Sequence, residues 1–290
     1  MALSNYGPIG TINRFLRLRP DGLLHHYTTS GGLIGIFESK TIWATSIQHL
    51  NDSEEYVHAA RLLRKELEQR LDKETGSKKQ LIADWLETPE EKGRSFITSF
   101  SQKSDLLSQW RAYANCDDAY SLSFNSEEIS SILKDPNCAL VKCVYKIEQQ
   151  KELLNQLVDY LHKMITRWSG LKGSRWWAWM GRMNRVVEGV LAAMKNPSFE
   201  EEQEWRIVTS VDVTRTMHFR PGRFGVVPFY KLPLMVDENG KLSFAEMMIG
   251  PTQDRKAAEF AVDKLVHSYG IPHKTPLEKR ISHSISSFRP

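Results

Sequence analysis

Apolar and polar positions fall along the chain in blocks with separable periods. LLHHYTT (23–29) reads as a short strand closed by Ser30-Gly31-Gly32, and LIGIFES (33–39) as a short amphipathic helix. TIWATSI (41–47), rich in β-branched residues, reads as a second strand. Asn51, Asp52 and Ser53 are good helix caps, and Leu62, Leu63, Leu67 and Leu71 then recur at helical spacing over 54–72. A polar break near 75–79 precedes a short helix over LIADWLE (81–87). SFITSFS (95–101), YSLSF (120–124) and ALVKCVYKI (139–147) read as strands, with a short helix over LLSQWRAYA (106–114).

The stretch 148–193 has a long helical pattern, interrupted at Ser169-Gly170 and Gly173, with a Trp-rich elbow at SRWWAWMGR (174–182). EWRIVTSV (204–211) is a strand. FGVVPFYKLPLMV (224–236) and LSFAEMMIG (242–250) read as the arms of a hairpin around a Glu-Asn-Gly turn. An amphipathic helix over 254–269 and an edge strand over RISHSISSF (280–288) follow. The first residues, punctuated by Pro8, Gly10 and Pro20, read as an irregular arm. The result is about eight strands, several in succession, with peripheral helices. That predicts an α+β fold and excludes regular β-α-β alternation. The organisation expected is an arm over 1–22 and one α+β domain over 23–290, with a helical insertion at about 148–195.

Composition narrows the function classes. With 39 Lys plus Arg against 35 Asp plus Glu, the net charge of +4 permits contact with nucleic acid without arguing for it. Three cysteines without CxxC spacing argue against a disulfide framework and fit a reducing cytoplasm; no ligand spacing points to a metal. The first residues lack the apolar run of a signal peptide, and no stretch approaches ~18 uncharged apolar residues, so no membrane span is expected. No Gly-rich phosphate loop is present.

Four stretches carry candidate chemistry. Two adjacent histidines on a strand, His25-His26, point to opposite faces, so one at most faces a given pocket. Asn51-Asp52 either cap a helix or present an amide and a carboxylate to a ligand. A polar strand face at Ser99 and Ser101, followed by Trp110, Arg111 and Tyr113 on a short helix, offers either a stacking wall with an anion contact or ordinary packing. Glu204 and Arg206 share one face of a strand and form either an ion pair or a catalytic carboxylate with a neighbouring cation. In the elbow, Trp176 and Trp179 share a helix face and Trp177 points roughly 100° away from Trp176. Part of the elbow is therefore expected to stay exposed beside Arg175 and Arg182, as a contact for a macromolecule.

The order LLHHYTT, TIWAT, LNDSEEY, FITSFSQKSDLLSQWRAYA, AYSLSF, NPSFEEEQEWRIV, EMMIGP resembles a bacterial family catalogued as domain of unknown function 2971, from about Leu23 to the C-terminus. More distantly it is similar to the ADP-ribosyltransferase fold. That resemblance implies a split, twisted, mostly antiparallel sheet clamping NAD as a substrate, without a metal. It implies catalytic roles for His26 on the first strand and for Glu204 as the carboxylate that polarises a ribose hydroxyl. Trp43, or Ser99 and Ser101, would fill the second-strand role. Tyr27, Trp43, Trp110 or Tyr113 would face the flat pyridinium, and Arg111 and Arg206 the diphosphate, with Thr28, Asn51 and Asp52 nearby. The implied activity is mono-ADP-ribosyl transfer by a cytoplasmic toxin or phage-defence effector acting on an unknown protein or nucleic-acid acceptor. A nucleotide sensor without turnover and a nucleic-acid-binding protein working through the elbow are the rival implications. The first reading requires His26 and Glu204 to lie on different strands of one sheet and to face a common cleft.

Overall fold

The computed structural model describes residues 8–50, 53–73, 75–76, 79–80, 83, 95–113, 118–168, 174–211, 215–222, 225–270 and 281–286. Among them, ten strands form one sheet. They are β1 (Leu24–Thr28), β2 (Thr41–Ser46), β3 (Ser95–Ser101), β4 (Tyr120–Phe124), β5 (Cys138–Lys142), β6 (Glu204–Ser210), β7 (His218–Gly222), β8 (Gly225–Pro233), β9 (Glu246–Ile249) and β10 (Ile281–His283). Every pairing is antiparallel except that of β9 with β10. The fold is thus α+β with a mostly antiparallel, open sheet.

Helices cover both faces. On one side α1 (Pro8–Phe15), α3 (Ser53–Leu71), α6 (Ile147–Trp168) and α7 (Ser174–Leu191) bury Leu63, Leu157, Val190 and their neighbours against Ile97, Val141 and Val208. On the other, α2 (Ser30–Ser39), α5 (Ser126–Leu133) and α8 (Arg255–Ser268) bury Phe37, Ile129 and Val266 against Phe96, Phe100, Leu122, Trp205 and Ile207. The two sets alternate along β3 and β6, as a strand buried on both faces requires.

The centre of the sheet is irregular. One edge of β3 is paired along its whole length with β6, from Ser95↔Ser210 to Ser101↔Glu204. The opposite edge is divided. At one end β1 pairs only through His25↔Ser101; at the other β2 pairs only through Thr45↔Ile97 and Ser46↔Phe96. Between those contacts, Thr98, Ser99 and Phe100 have no register partner on that side, and the sheet has a gap.

Several elements differ from the sequence expectation. Pro8–Phe15 is a helix, not an irregular arm: Pro8 occupies its first position, where a missing N–H is harmless, and Ile12 and Phe15 are buried against α6. The Glu-Asn-Gly turn closes only one bridge, Val236↔Leu242. The two arms then part, β8 pairing with β2 and β7 and β9 with β4 and β10, because each finds a longer partner elsewhere. Helix α5 was not expected. Asn125 caps it, accepting from the Glu127 and Glu128 amides, while Glu128 accepts from the Asn125 amide.

Candidate functional site

A cavity of about 420 Å³ opens at the gap. Its lining includes His25 to Thr29, Gly31 and Gly32, Trp43, Thr45, Ile97 to Ser101, Gln109, Tyr113, Glu202, Glu204 and Arg220. The opening exists because β3 is shared at its two ends by strands that diverge. The cavity therefore receives groups from both faces of the sheet. The start of α2 packs close to it: a Cβ on Gly32 would stand 2.0 Å from the Thr28 hydroxyl, so only glycine fits there.

Register decides which histidine faces which way. Ser101 pairs with both Glu204 and His25, so Ser99, Ser101, Glu204, Arg206 and His25 emerge on one face. His26 emerges on the other, with Leu24, and its ring lies 5.6 Å from that of Phe100. His26 and Glu204 thus lie on different strands and both line the cavity, although they emerge on opposite faces of the sheet. They meet through the gap. His26 Nδ1 donates to the Ser99 carbonyl at 3.0 Å, taking the place of a strand amide, and the Ser99 side chain lines the cavity on the same face as Glu204. A carbonyl can only accept, so Nδ1 carries the proton. Burial lowers the imidazole below its ordinary value, against the Ser99 bond, which raises it. In the neutral ring, Nε2 is an acceptor. His25 is held by Ser123 Oγ at 2.7 Å, and burial lowers its pKa to about 4.

Glu204 sits in a charge cluster. Arg206 Nε and Nη2 donate to it at 2.8 and 3.1 Å, and Lys195 Nζ binds both Glu204 and Glu202. Burial raises the Glu204 carboxyl above the usual range, and Lys195 opposes that rise. Burial also pulls Lys195 down, but Glu204 above all lifts it above the ordinary lysine value. Burial draws Arg206 down to about 9, still charged at neutral pH. The two acids and two bases cancel. The cluster is braced by the Glu204 amide donating to the Tyr145 hydroxyl at 2.8 Å and by Arg206 Nη1 on the Ala192 carbonyl at 2.7 Å. Tyr113 lines the same end. It is exposed over 46% of its surface.

Of the expected site residues, His26, Tyr27, Thr28, Trp43, Ser99, Ser101, Tyr113 and Glu204 come together at the cavity. Tyr27 is tied down, its hydroxyl donating to the Lys103 carbonyl at 2.7 Å and accepting from the Leu106 amide at 3.1 Å. Ser101 Oγ donates to the Glu202 carbonyl at 2.6 Å. Trp110, Arg111 and Arg206 do not line the cavity. Trp110, on α4 (Leu107–Tyr113), is wholly buried, with Nε1 on Asp105 at 2.6 Å. Arg111 lies on the exposed side of α4, and Arg206 is committed to Glu204. Asn51 and Asp52 lie outside the described residues. So do the side chains of Trp176 and Trp177; in the elbow, Trp179 is buried and Arg175 and Arg182 are exposed.

Gln109 and Glu202 lie within stretches that the sequence singles out; Lys195 and Arg220 were not foreseen. The basic residue just ahead of Asn196-Pro197 and the acidic run that follows was the available signal for Lys195. The 3-10 turn Pro197–Glu202, capped by Asn196, folds the chain back, so that a lysine nine residues before Glu204 reaches it. Arg220 had none, because its neighbours come from distant strands.

Among the described residues no helix is long and apolar enough to cross a membrane. No curated protein and no solved structure matches the chain. A family model described as "Protein of unknown function (DUF2971)" matches residues 109–207, and the chain is similar to that family over the stretch that supplies Gln109, Tyr113, Lys195, Glu202 and Glu204 to the site.

Proposed function

We propose that the cavity binds NAD and cleaves its nicotinamide–ribose bond, passing ADP-ribose to a macromolecular acceptor, and that the divided sheet is an ADP-ribosyltransferase-like arrangement. The observation that carries this reading is the gap beside Ser99, where the His26 imidazole, held on the Ser99 carbonyl, and the buried Glu202 and Glu204 carboxylates line one cavity. Cleavage breaks the bond from ribose C1′ to the pyridinium nitrogen. The electron pair leaves with nicotinamide, and positive charge develops on the ribose ring. An ionised Glu204 or Glu202 in a dry site stabilises that charge. His26 Nε2 accepts from a ribose hydroxyl. The acceptor nucleophile then bonds to C1′ and gives up its proton to solvent water.

One observation favours a second reading, nucleotide sensing without turnover: both Glu204 oxygens already take hydrogen bonds from Lys195 and Arg206. Incubation with NAD and cell lysate separates the two. Nicotinamide release with label transfer supports the transferase, release alone a glycohydrolase, and bound but intact NAD the sensor. Absence of both release and binding removes NAD from the site.

A further inference from the structure

Arg220 stands on β7 at the wall of the cavity away from the carboxylate cluster. It makes one long hydrogen bond, Nη2 to Thr45 Oγ1 at 3.4 Å, and its Nε is buried with no partner. No acidic residue pairs with it among the described residues. Among the described residues, the charged side chains of the lining are Glu202, Glu204 and Arg220. The first two are neutralised by Lys195 and Arg206, so Arg220 is the uncompensated charge among the described residues of the lining.

On the same face of the sheet, which Arg220 and Thr45 share by register with Phe229 and His218, lies an aromatic stack. Trp43 packs on Phe229 at 4.3 Å and 29° between planes, and His218 packs on Phe229 at 5.5 Å and 29°. Trp43 nonetheless keeps 38% of its surface exposed and lines the cavity. A cation with an unused donor next to an open indole suits a phosphate attached to a flat, ring-bearing group.

We infer that Arg220 is the phosphate anchor of the site and that, with Trp43, it makes the cavity select phosphorylated nucleosides over free ones. The inference rests on the nucleotide reading of the cleft only for the nature of the ring. A phosphate oxygen accepts from the terminal nitrogens of Arg220. The ring lies against Trp43, and the ribose extends toward Ser99 and the carboxylates.

The test is binding of ADP-ribose, inorganic diphosphate, adenosine and NAD to the full chain, as wild type and as Arg220→Met and Arg220→Lys. Arg220 is half-buried on a strand toward the sheet margin, and thermal unfolding of each variant checks that it folds. Expected is a loss of about ten- to a hundredfold in affinity for ADP-ribose and diphosphate in Arg220→Met, with partial recovery in Arg220→Lys and no change for adenosine. Equal affinities of wild type and Arg220→Met for the phosphorylated probes overturn the assignment. So does the absence of binding of every probe to wild type. Arg220-dependent diphosphate binding without NAD cleavage or binding leaves this inference standing and removes the proposed function. NAD cleavage with an unchanged KM in Arg220→Met does the reverse.

Discussion

Lys195 holds two carboxylates at one point. Removing it leaves Glu202 and Glu204 facing Arg206 alone, so the Glu204 carboxyl, already raised by burial, climbs further. Lys195→Met is expected to lose about 3 kcal/mol of stability and to move the acid limb of nicotinamide release to higher pH, with Lys195→Arg restoring both. Denaturant midpoints and a pH–rate profile check this; a midpoint and profile identical to wild type would rule out the role. Gly250 is a second sensitive position. A Cβ there would stand 2.7 Å from Ala119 Cβ and 3.0 Å from Trp110 Cε3. Gly250→Ala should cost about 2 kcal/mol by overpacking, measured by thermal unfolding. The glycine was visible in the EMMIGP block, but the reason for it was not, since Trp110 comes from far along the chain. The same holds for the site. Glu204 was legible from its place at a strand entry. The choice between His25 and His26 was not, because it depends on which residue of β1 meets Ser101.

Elements whose partners are local or whose pattern is strong were legible: β1 to β4, β6, α3 and α8 fall close to where the periodicity puts them. Those missed failed for identifiable reasons. Pro8 and Gly10 read as punctuation, although proline is at home at a helix start. The Asn125 to Glu128 capping box was on the page and unused. The hairpin expectation failed because strand pairing is decided by distant competitors. Asp105 accepts from Trp110 Nε1, the hydroxyls of Ser284 and Ser286, and the Ile285 amide, tying the C-terminal segment to α4. Burial opposes it, but these bonds hold the carboxyl below its ordinary value. Asp105→Ala should destabilise the chain by about 2 kcal/mol and speed proteolytic cleavage after His283. Unaltered digestion kinetics would mean that β10 alone holds the segment.

At the scale of the molecule, pH acts through the buried His25. His25 has a folded pKa of about 4 against 6.5 unfolded. Its neutral form therefore contributes stability above pH 6.5, and that contribution is lost as pH falls from 6.5 toward 4, on the order of 3 kcal/mol. Burial lowers His26 in the same direction. Urea unfolding at pH 7.5 and pH 5 should show this loss, and His25→Gln should flatten it; parallel curves for the two proteins would assign the acid sensitivity elsewhere.

The shared strand β3 has a consequence for how the two parts of the sheet communicate. β1 and β2 each hold one end of it and do not touch one another across Thr98 to Phe100. The backbone at Ser99 thus lies at a seam, with an imidazole standing in for a neighbouring strand. In the empty protein, amide deuterium uptake there should be fast for so central a position, with β1 and β2 exchanging independently. A molecule lodged in the seam would bridge the two parts, and their uptake should then slow together, as in one continuous sheet.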